Sequence, residues 1–337
     1  MRNIYDLTIK ELEDYFISIN EKKFRAVQVY EALYKRRIKS FDDMTNISKE
    51  VREKLKQVFS FYKIKMLIKQ QGKNVNKYLF ELEDGNKIES VLMFHDYGTS
   101  ICVSSQVGCN MTCAFCESGR LKKVRNLLAY EIVQQILQIE EDINKRITHV
   151  VLMGIGEPFD NYDNVLRFVK IINCGKGIDI GSRHITISTC GVIPGIKKFM
   201  NEEGQVNLAI SLHAPNNTLR SRIMPINKAY PLNELMETIK EYINKTNRRV
   251  TFEYIMLDNV NDSEENAKEL AILLKGINCY VNLIPYNETE NIEFKRTKKW
   301  KIMKFYDILK KNKINVTIRK EFGGSVDAAC GQLRANN

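Results

Sequence analysis

The sequence predicts an α/β protein, a partial (βα)6 barrel of the TIM type preceded by a small N-terminal helical domain. Two patterns carry the prediction. From residue 100 onward, short apolar β-branched runs alternate with amphipathic helical segments, as repeated βα units around a parallel sheet do. The first 60 residues show helical periodicity only.

The elements follow in order. Thr8-Ile9-Lys10-Glu11 reads as a capping box, and Leu12, Phe16 and Ile19 then share one helical face. Val27, Tyr30 and Tyr34 recur at helical spacing, and Val51, Leu55 and Val58 line a third helix. Residues 77–82 and 87–94, with Gly85 between them, predict a β-hairpin. Strand-like runs follow at 101–104, 149–153, 184–188, 207–212, 250–255, 281–284 and 315–318. Helical segments lie between them at 130–143, 164–172, 192–200, 232–243, 264–274 and 299–311. Six units are too few for a closed eight-fold barrel, and a partial barrel fits the count.

Composition narrows the class. The chain has 337 residues, 44% hydrophobic and 28% charged, with only 6 prolines, which is globular. No apolar run approaches the roughly 18 residues of a membrane helix. Residues 1–14 carry Arg2, Lys10 and several acids without an apolar core segment. The expectation is a soluble, cytoplasmic protein with no secretory signal and no membrane partner. Net charge is +11, from 52 Lys and Arg against 41 Asp and Glu, and it is uneven. Lys35, Arg36, Arg37 and Lys39 form one basic cluster. Lys295, Arg296, Lys298, Lys299, Lys301, Lys304, Lys310, Lys311 and Lys313 form another. A polyanion such as RNA is the natural partner, although a solvated lysine-rich surface reads the same from charge alone. Domain boundaries are expected at 60 and 98. Residues 1–60 read as a helical RNA-binding accessory domain, 61–98 as a hairpin linker and 99–337 as the core.

Gly108-Cys109-Asn110-Met111-Thr112-Cys113-Ala114-Phe115-Cys116 carries the chemistry. Its spacing is C-x3-C-x2-C. Three thiolates on one short loop suit three corners of a [4Fe–4S] cubane and leave the fourth iron open, whereas electron-transfer clusters usually have four cysteines. Zinc is disfavoured, because no second Cys/His pair follows at zinc-site spacing. A disulfide framework does not suit a long chain in a reducing compartment. Other polar residues fall just after the strand-like runs: Gly154 to Pro158, Ser188 to Gly191, Ser211 to His213, and Tyr286-Asn287. In a parallel barrel those ends meet at one face, where active sites lie.

Further segments make a resemblance specific. These are 102–109, 153–158, 188–191, 210–215, Met224-Pro225-Ile226-Asn227 and Asp327-Ala328-Ala329-Cys330-Gly331-Gln332-Leu333. With the cysteine loop they resemble the RlmN/Cfr family of radical S-adenosylmethionine (SAM) adenine methyltransferases, over nearly the whole chain. The resemblance implies the radical SAM barrel, a [4Fe–4S] cluster on Cys109, Cys113 and Cys116, and SAM. It implies 23S rRNA, and tRNA, as substrates, a monomeric enzyme, and an external electron donor such as flavodoxin or ferredoxin. Adenine C2 and C8 are too weakly nucleophilic to take the SAM methyl directly, whereas a thiolate is a good nucleophile. By resemblance, Cys330 on a C-terminal loop accepts the methyl from a first SAM. A radical from a second SAM then activates that S-methyl carbon for addition to adenine. Glu89 is the proton acceptor. Cys102 attacks Cys330 sulfur, giving a disulfide and releasing the product. Gly156, Glu157, Ser188, Ser211, Leu212, His213 and Asn287 align with SAM contacts, Leu212 through its backbone.

Without the resemblance, Cys102 reads as a core residue and Glu89 as an exposed acid in a hairpin. Phe115 reads as a shield for the cluster. Cys174, Cys190 and Cys279 match no catalytic position and read as structural. The chain departs from the family after the cluster: members usually read Cys-Ala-Thr-Gly, where this chain has Cys116-Glu117-Ser118-Gly119, and the loop 120–125 is shorter. Its Gly-Glu-Pro and C-terminal motifs stand closer to the C2 (RlmN) type. The alternatives are a C8 (Cfr) type that confers ribosomal antibiotic resistance, a radical SAM enzyme acting on another RNA, and a metal-stabilised RNA-binding protein without catalysis.

Overall fold

The computed structural model describes residues 1–319. Among them, the first helices are α1 (Ile9–Ser18), α2 (Phe24–Tyr34) and α3 (Lys49–Val58). The capping box on α1 is complete: Glu11 N donates to Thr8 Oγ1 at 3.3 Å, and Thr8 N donates to Glu11 Oε2 at 2.9 Å. Both amides would otherwise be orphans at the helix start. Leu12, Phe16, Tyr30 and Tyr34 are buried. One expectation fails at the end of α3. Val51 and Leu55 are buried, but Val58 is 45% exposed. The helix ends there, the backbone becomes extended at Phe59, and Phe59 takes the inward place.

A ten-stranded sheet forms the body, and its spatial order follows chain order throughout. Its strands are β1 (Lys65–Gln71), β2 (Val75–Glu81), β3 (Lys87–His95), β4 (Gly98–Cys102), β5 (His149–Leu152), β6 (Ile185–Thr189), β7 (Asn207–Ser211), β8 (Val250–Met256), β9 (Cys279–Pro285) and β10 (Val316–Ile318). β1 to β4 pair antiparallel, and β4 to β10 pair parallel. Among the described residues β1 and β10 are the two edges, so the barrel they form is partial.

After β4 come the short α4 (Glu117–Arg120) and then α5 (Ala129–Ile143), α6 (Tyr162–Asn173), α7 (Ile193–Phe199), α8 (Asn217–Ile223), α9 (Leu232–Thr246), α10 (Glu264–Leu273) and α11 (Lys299–Lys311). These supply six helical crossovers between the parallel strands, the architecture expected from the alternating pattern. Besides the four-residue α4, two elements lie outside that reading. β1, Lys-Met-Leu-Ile-Lys-Gln-Gln, is a half-exposed edge strand whose polar residues mask a strand pattern and blunt the edge. α8 is seven residues long, too short for a periodicity to stand out, and is set by Asn216 accepting from Leu219 N at 2.9 Å.

The hairpin turns at Gly85, whose φ of +79° favours glycine. It is not free-standing. β3 continues into β4, with Leu92 opposite Ile101 and Val91 opposite Cys102. One hydrophobic core runs from Ile4 through the barrel to Val316. Ion pairs Arg37–Glu140 and Arg167–Glu11 tie the N-terminal helices to α5 and α6. Among the described residues no helix is long and apolar enough to cross a membrane.

Candidate active site

A cavity of about 340 Å³ lies at the C-terminal ends of the parallel strands. Cys109, Cys113 and Cys116 line it, on the loop after β4. So do Gly156 and Glu157 after β5, Ser188 on β6, Ser211 and His213 at the end of β7, and Asn287 after β9. Glu89 and Cys102 reach the same cavity from β3 and β4. Leu212 does not reach it. Its side chain is in the core, and only its main chain faces neighbouring site residues. Cys330 lies outside the described residues.

The cysteine loop is held by its own backbone. Cys109 N donates to Leu121 O at 2.9 Å and Cys116 N to Cys113 O at 3.1 Å. Ala114 N donates to Ile223 O at 2.9 Å, which hangs the loop on the end of α8. Gly108 has φ +79°, and a Cβ there would meet Lys122 O at 2.1 Å. Burial pushes the Cys109 thiol up to about 12, and burial with mutual repulsion raises Cys113 as well. Crowded, buried thiols disfavour the anion until a cation compensates them, and iron does this. Among the described residues no three metal-ligating side chains converge on a single-ion site. A cubane spreads its thiolates over separate corners, so three cysteines around one cavity fit a cluster.

The turn after β5 is built on close approach. A Cβ on Gly154 would meet Val103 O at 2.6 Å, and one on Gly156 (φ +107°) would meet Gln106 Cβ at 2.6 Å. Glu157 is therefore fixed in place. Its N donates to Gln106 Oε1 at 2.9 Å, its Oε1 accepts from Phe159 N at 3.0 Å, and its Oε2 accepts from Cys190 N at 2.8 Å. Burial raises its pKa, and those backbone donors oppose the rise.

His213 is neutral. Burial, with the charge of Arg220, pushes its pKa down to about 3. Nδ1 accepts from Ile255 N at 3.0 Å, which assigns the proton to Nε2. The Phe115 ring meets His213 edge-on, with centroids 4.9 Å apart.

Several site residues lay beyond the sequence reading. Lys77 sits diagonally from Glu89 across the β2–β3 pair, and the two form a buried ion pair at 3.4 Å. Glu89 is therefore not the exposed acid that a hairpin suggests. Glu253 faces the cavity from β8 and accepts from Asn282 Nδ2 at 2.8 Å. Its charge within an apolar strand was an available signal. Cys190 lines the wall, and its backbone serves Glu157. Arg220, on α8, is wholly buried. It donates to Cys190 O (2.6 Å), Leu212 O (3.2 Å), Ser211 O (3.3 Å) and Asn227 Oδ1 (3.0 Å). Among the described residues no carboxylate pairs with it.

Comparison with known proteins agrees with this geometry. Residues 2–61 match the family model of the ribosomal RNA large subunit methyltransferase N-terminal domain, and residues 103–271 match that of the radical SAM superfamily. A probable dual-specificity RNA methyltransferase RlmN from Spiroplasma citri is 54% identical, covering 100% of this chain and 98% of that protein. A relative of the same name from Geobacillus kaustophilus is 53% identical over 99% of this chain and 92% of its own length. The crystal structure of a radical SAM methyltransferase from Sphaerobacter thermophilus superimposes with a TM-score of 0.93 at 40% identity, covering 98% of this chain and 99% of that one. Sequence, fold and the convergence of the strand-end residues agree: the chain belongs to the RlmN family of radical SAM RNA methyltransferases.

Proposed function

We propose that this chain methylates carbon C2 of adenine in 23S rRNA, and in tRNA as well, through an S-methylcysteine formed on Cys330. The observation that supports this most is a shared cavity. Three cysteines and Glu157 meet there with Cys102 and Glu89, residues that an RNA-binding protein without catalysis would not need. Cys109, Cys113 and Cys116 would hold a [4Fe–4S] cluster, with SAM against Gly156, Glu157, Ser188, Ser211, His213 and Asn287. Bound together, cluster and SAM supply one-electron cleavage of SAM.

The chain's own residues do the rest. Glu157 has both oxygens anchored by backbone donors and keeps lone pairs for the SAM ammonium. Neutral His213 offers Nε2–H as a fixed donor. Lys77 holds Glu89 at the cavity wall, where Glu89 takes the ring proton of adenine. Burial pushes the Cys102 thiol up to about 11, so it rests protonated, while the charge of Arg319 opposes that rise. A resting thiol does not close prematurely on the methyl carrier. Cleavage of SAM would take up one electron, which an external donor such as flavodoxin or ferredoxin would supply.

The test is anaerobic reconstitution with iron and sulfide, then reaction with 23S rRNA, SAM and dithionite, followed by mass spectrometry of the nucleosides. 2-Methyladenosine is the expected product. 8-Methyladenosine would move the reaction to the other carbon. Colourless protein that holds zinc and leaves SAM intact would sink the enzymatic reading. Cys330→Ala should abolish product, and Cys102→Ala should trap a covalent protein–RNA adduct.

A further inference from the structure

Glu117 is an acid beside the cysteine loop that the proposed reaction does not use. It opens α4 directly after Cys116, lines the cavity and is only 2% exposed. Among the described residues its side chain has no hydrogen bond or ion pair, and Oε1 is fully enclosed without a partner. A buried carboxyl without a partner is strongly unfavourable, so such a group marks a place that something else completes.

A second group shares this state. The Tyr286 hydroxyl, on the same cavity, is buried without a hydrogen bond of normal geometry, although the Thr289 hydroxyl is near. Burial pushes the Tyr286 phenol up to about 12, and the nearby charge of Glu117 adds to the rise. Both groups line the same cavity, and Phe115, two residues before Glu117, packs against the apolar cluster that holds Tyr286. Phe115 and Ile255 pack against the cluster of Leu257, Tyr286 and Ile292, line the cavity and give it apolar walls.

An acceptor and a hydroxyl between apolar faces suit a planar base. The donor group on an adenine ring is its exocyclic N6 amine, with acceptor nitrogens beside it. We propose that Glu117 accepts a hydrogen bond from the exocyclic amine of a 6-aminopurine, while the Tyr286 hydroxyl donates to a neighbouring ring nitrogen. Glu117 is then a specificity residue for that purine. The proposal rests on reading this cavity as the site of SAM and of the target adenosine, both of which carry that purine.

Two arms separate the sources. In the first, cluster-loaded protein is titrated with SAM and with the SAM analogue that has purine in place of adenine. In the second, it is titrated with substrate RNA carrying adenosine or purine riboside at the target position. Wild type should bind the amine-free form at least about tenfold more weakly in one arm, because a buried acceptor is then left unpaired. Glu117→Ala should bring that ratio close to one. Preference in the first arm assigns the contact to SAM, and in the second to the target base. Equal binding in both arms, or a preference that Glu117→Ala leaves unchanged, overturns the proposal. Should Glu117→Ala fail to load its cluster, Glu117→Gln keeps the shape and one acceptor oxygen. It should retain part of the preference, and full retention also counts against the idea. Thermal unfolding of the cluster-free protein adds a readout independent of ligand. Removing an unpaired buried carboxyl should raise the midpoint, and a fall would count against it. Wild type that methylates no adenine defeats the functional reading, while the SAM arm still decides this one.

Discussion

Arg220 and His213 fix the floor of the cavity through single side chains. Arg220 donates to the carbonyls of Cys190, Ser211 and Leu212, so one guanidinium ties together the ends of β6 and β7. Arg220→Met would leave Cys190 O, Ser211 O and Asn227 Oδ1 without their donor, while Leu212 O keeps the Ala214 amide; each lost pairing costs about 1–3 kcal/mol. The variant should lose at least about 3 kcal/mol of stability in denaturant unfolding, and Arg220→Lys less. His213 sets a pH dependence. Its folded pKa of about 3 lies below the ordinary 6.5, so the unfolded chain binds the proton more readily. Its contribution is fully present above pH 6.5 and is lost as pH falls from there toward 3, by about 1.4 kcal/mol per unit. Between pH 6.5 and 5, wild type should lose more stability than His213→Asn, and parallel curves would refute the assignment. These two residues differ in how far the sequence announces them. His213 stands in a Ser-Leu-His run at a strand end, and the cysteines are marked by spacing. Arg220 is one of 52 Lys and Arg, and no local pattern distinguishes a buried one. The same holds for Glu89, whose burial comes from the sheet continuing past the hairpin.

At the scale of elements, the sequence made the alternation of strand and helix plain, because periods of 2 and 3.6 are distinct over ten residues or more. Length hid α8, which has seven residues, and polarity hid the edge strand β1. Yet α8 carries Arg220 and anchors the cysteine loop through Ile223 O, so a hidden element holds much of the site. The turn after β5 shows the opposite case. Gly154-Ile155-Gly156-Glu157 is legible as a motif, and the structure supplies the steric reason. Gly156→Ala would place a Cβ 2.6 Å from Gln106 Cβ in a backbone region unfavourable for side chains. Because Gln106 Oε1 orients the Glu157 amide, the displacement would pass directly to the carboxylate. The variant should lose about 1–3 kcal/mol of stability. It should also weaken SAM binding at least about tenfold, the loss of one charge-assisted contact. Equilibrium dialysis with labelled SAM checks the second outcome, and an unchanged affinity would separate Glu157 from SAM.

Over the whole molecule, charge and shape point to one flank of the cavity mouth. Residues 295–313 hold nine basic side chains against Asp307 alone, a net +8 out of the chain's +11. α11 buries Ile302, Phe305 and Leu309 and turns Trp300, 61% exposed, and Met303 outward. Its first turn stands at the active-site face. Lys301 Nζ reaches Asp258 at 2.9 Å in the turn after β8, and Leu257 bridges Arg296. An exposed aromatic ring among Lys298, Lys299 and Lys304 matches how single-stranded nucleic acid is held, by base stacking and phosphate contacts. With RNA as the proposed substrate, a strand entering the cavity would pass this helix. Trp300 is the sole tryptophan of the chain, so its fluorescence reports the contact without a label. Titration with substrate RNA should quench it, and Trp300→Ala should weaken binding at least about fivefold, the loss of one stacked base. Lys298→Glu with Lys299→Glu should flatten the dependence of log K on log salt by about one to two units. SAM binding should be the same in all three proteins. Unchanged fluorescence at saturating RNA would move the docking surface elsewhere and leave the basic run as a solvated face. The N-terminal cluster at Lys35, Arg36, Arg37 and Lys39 and the run Arg120, Lys122, Lys123 and Arg125 would then be the next basic regions to test.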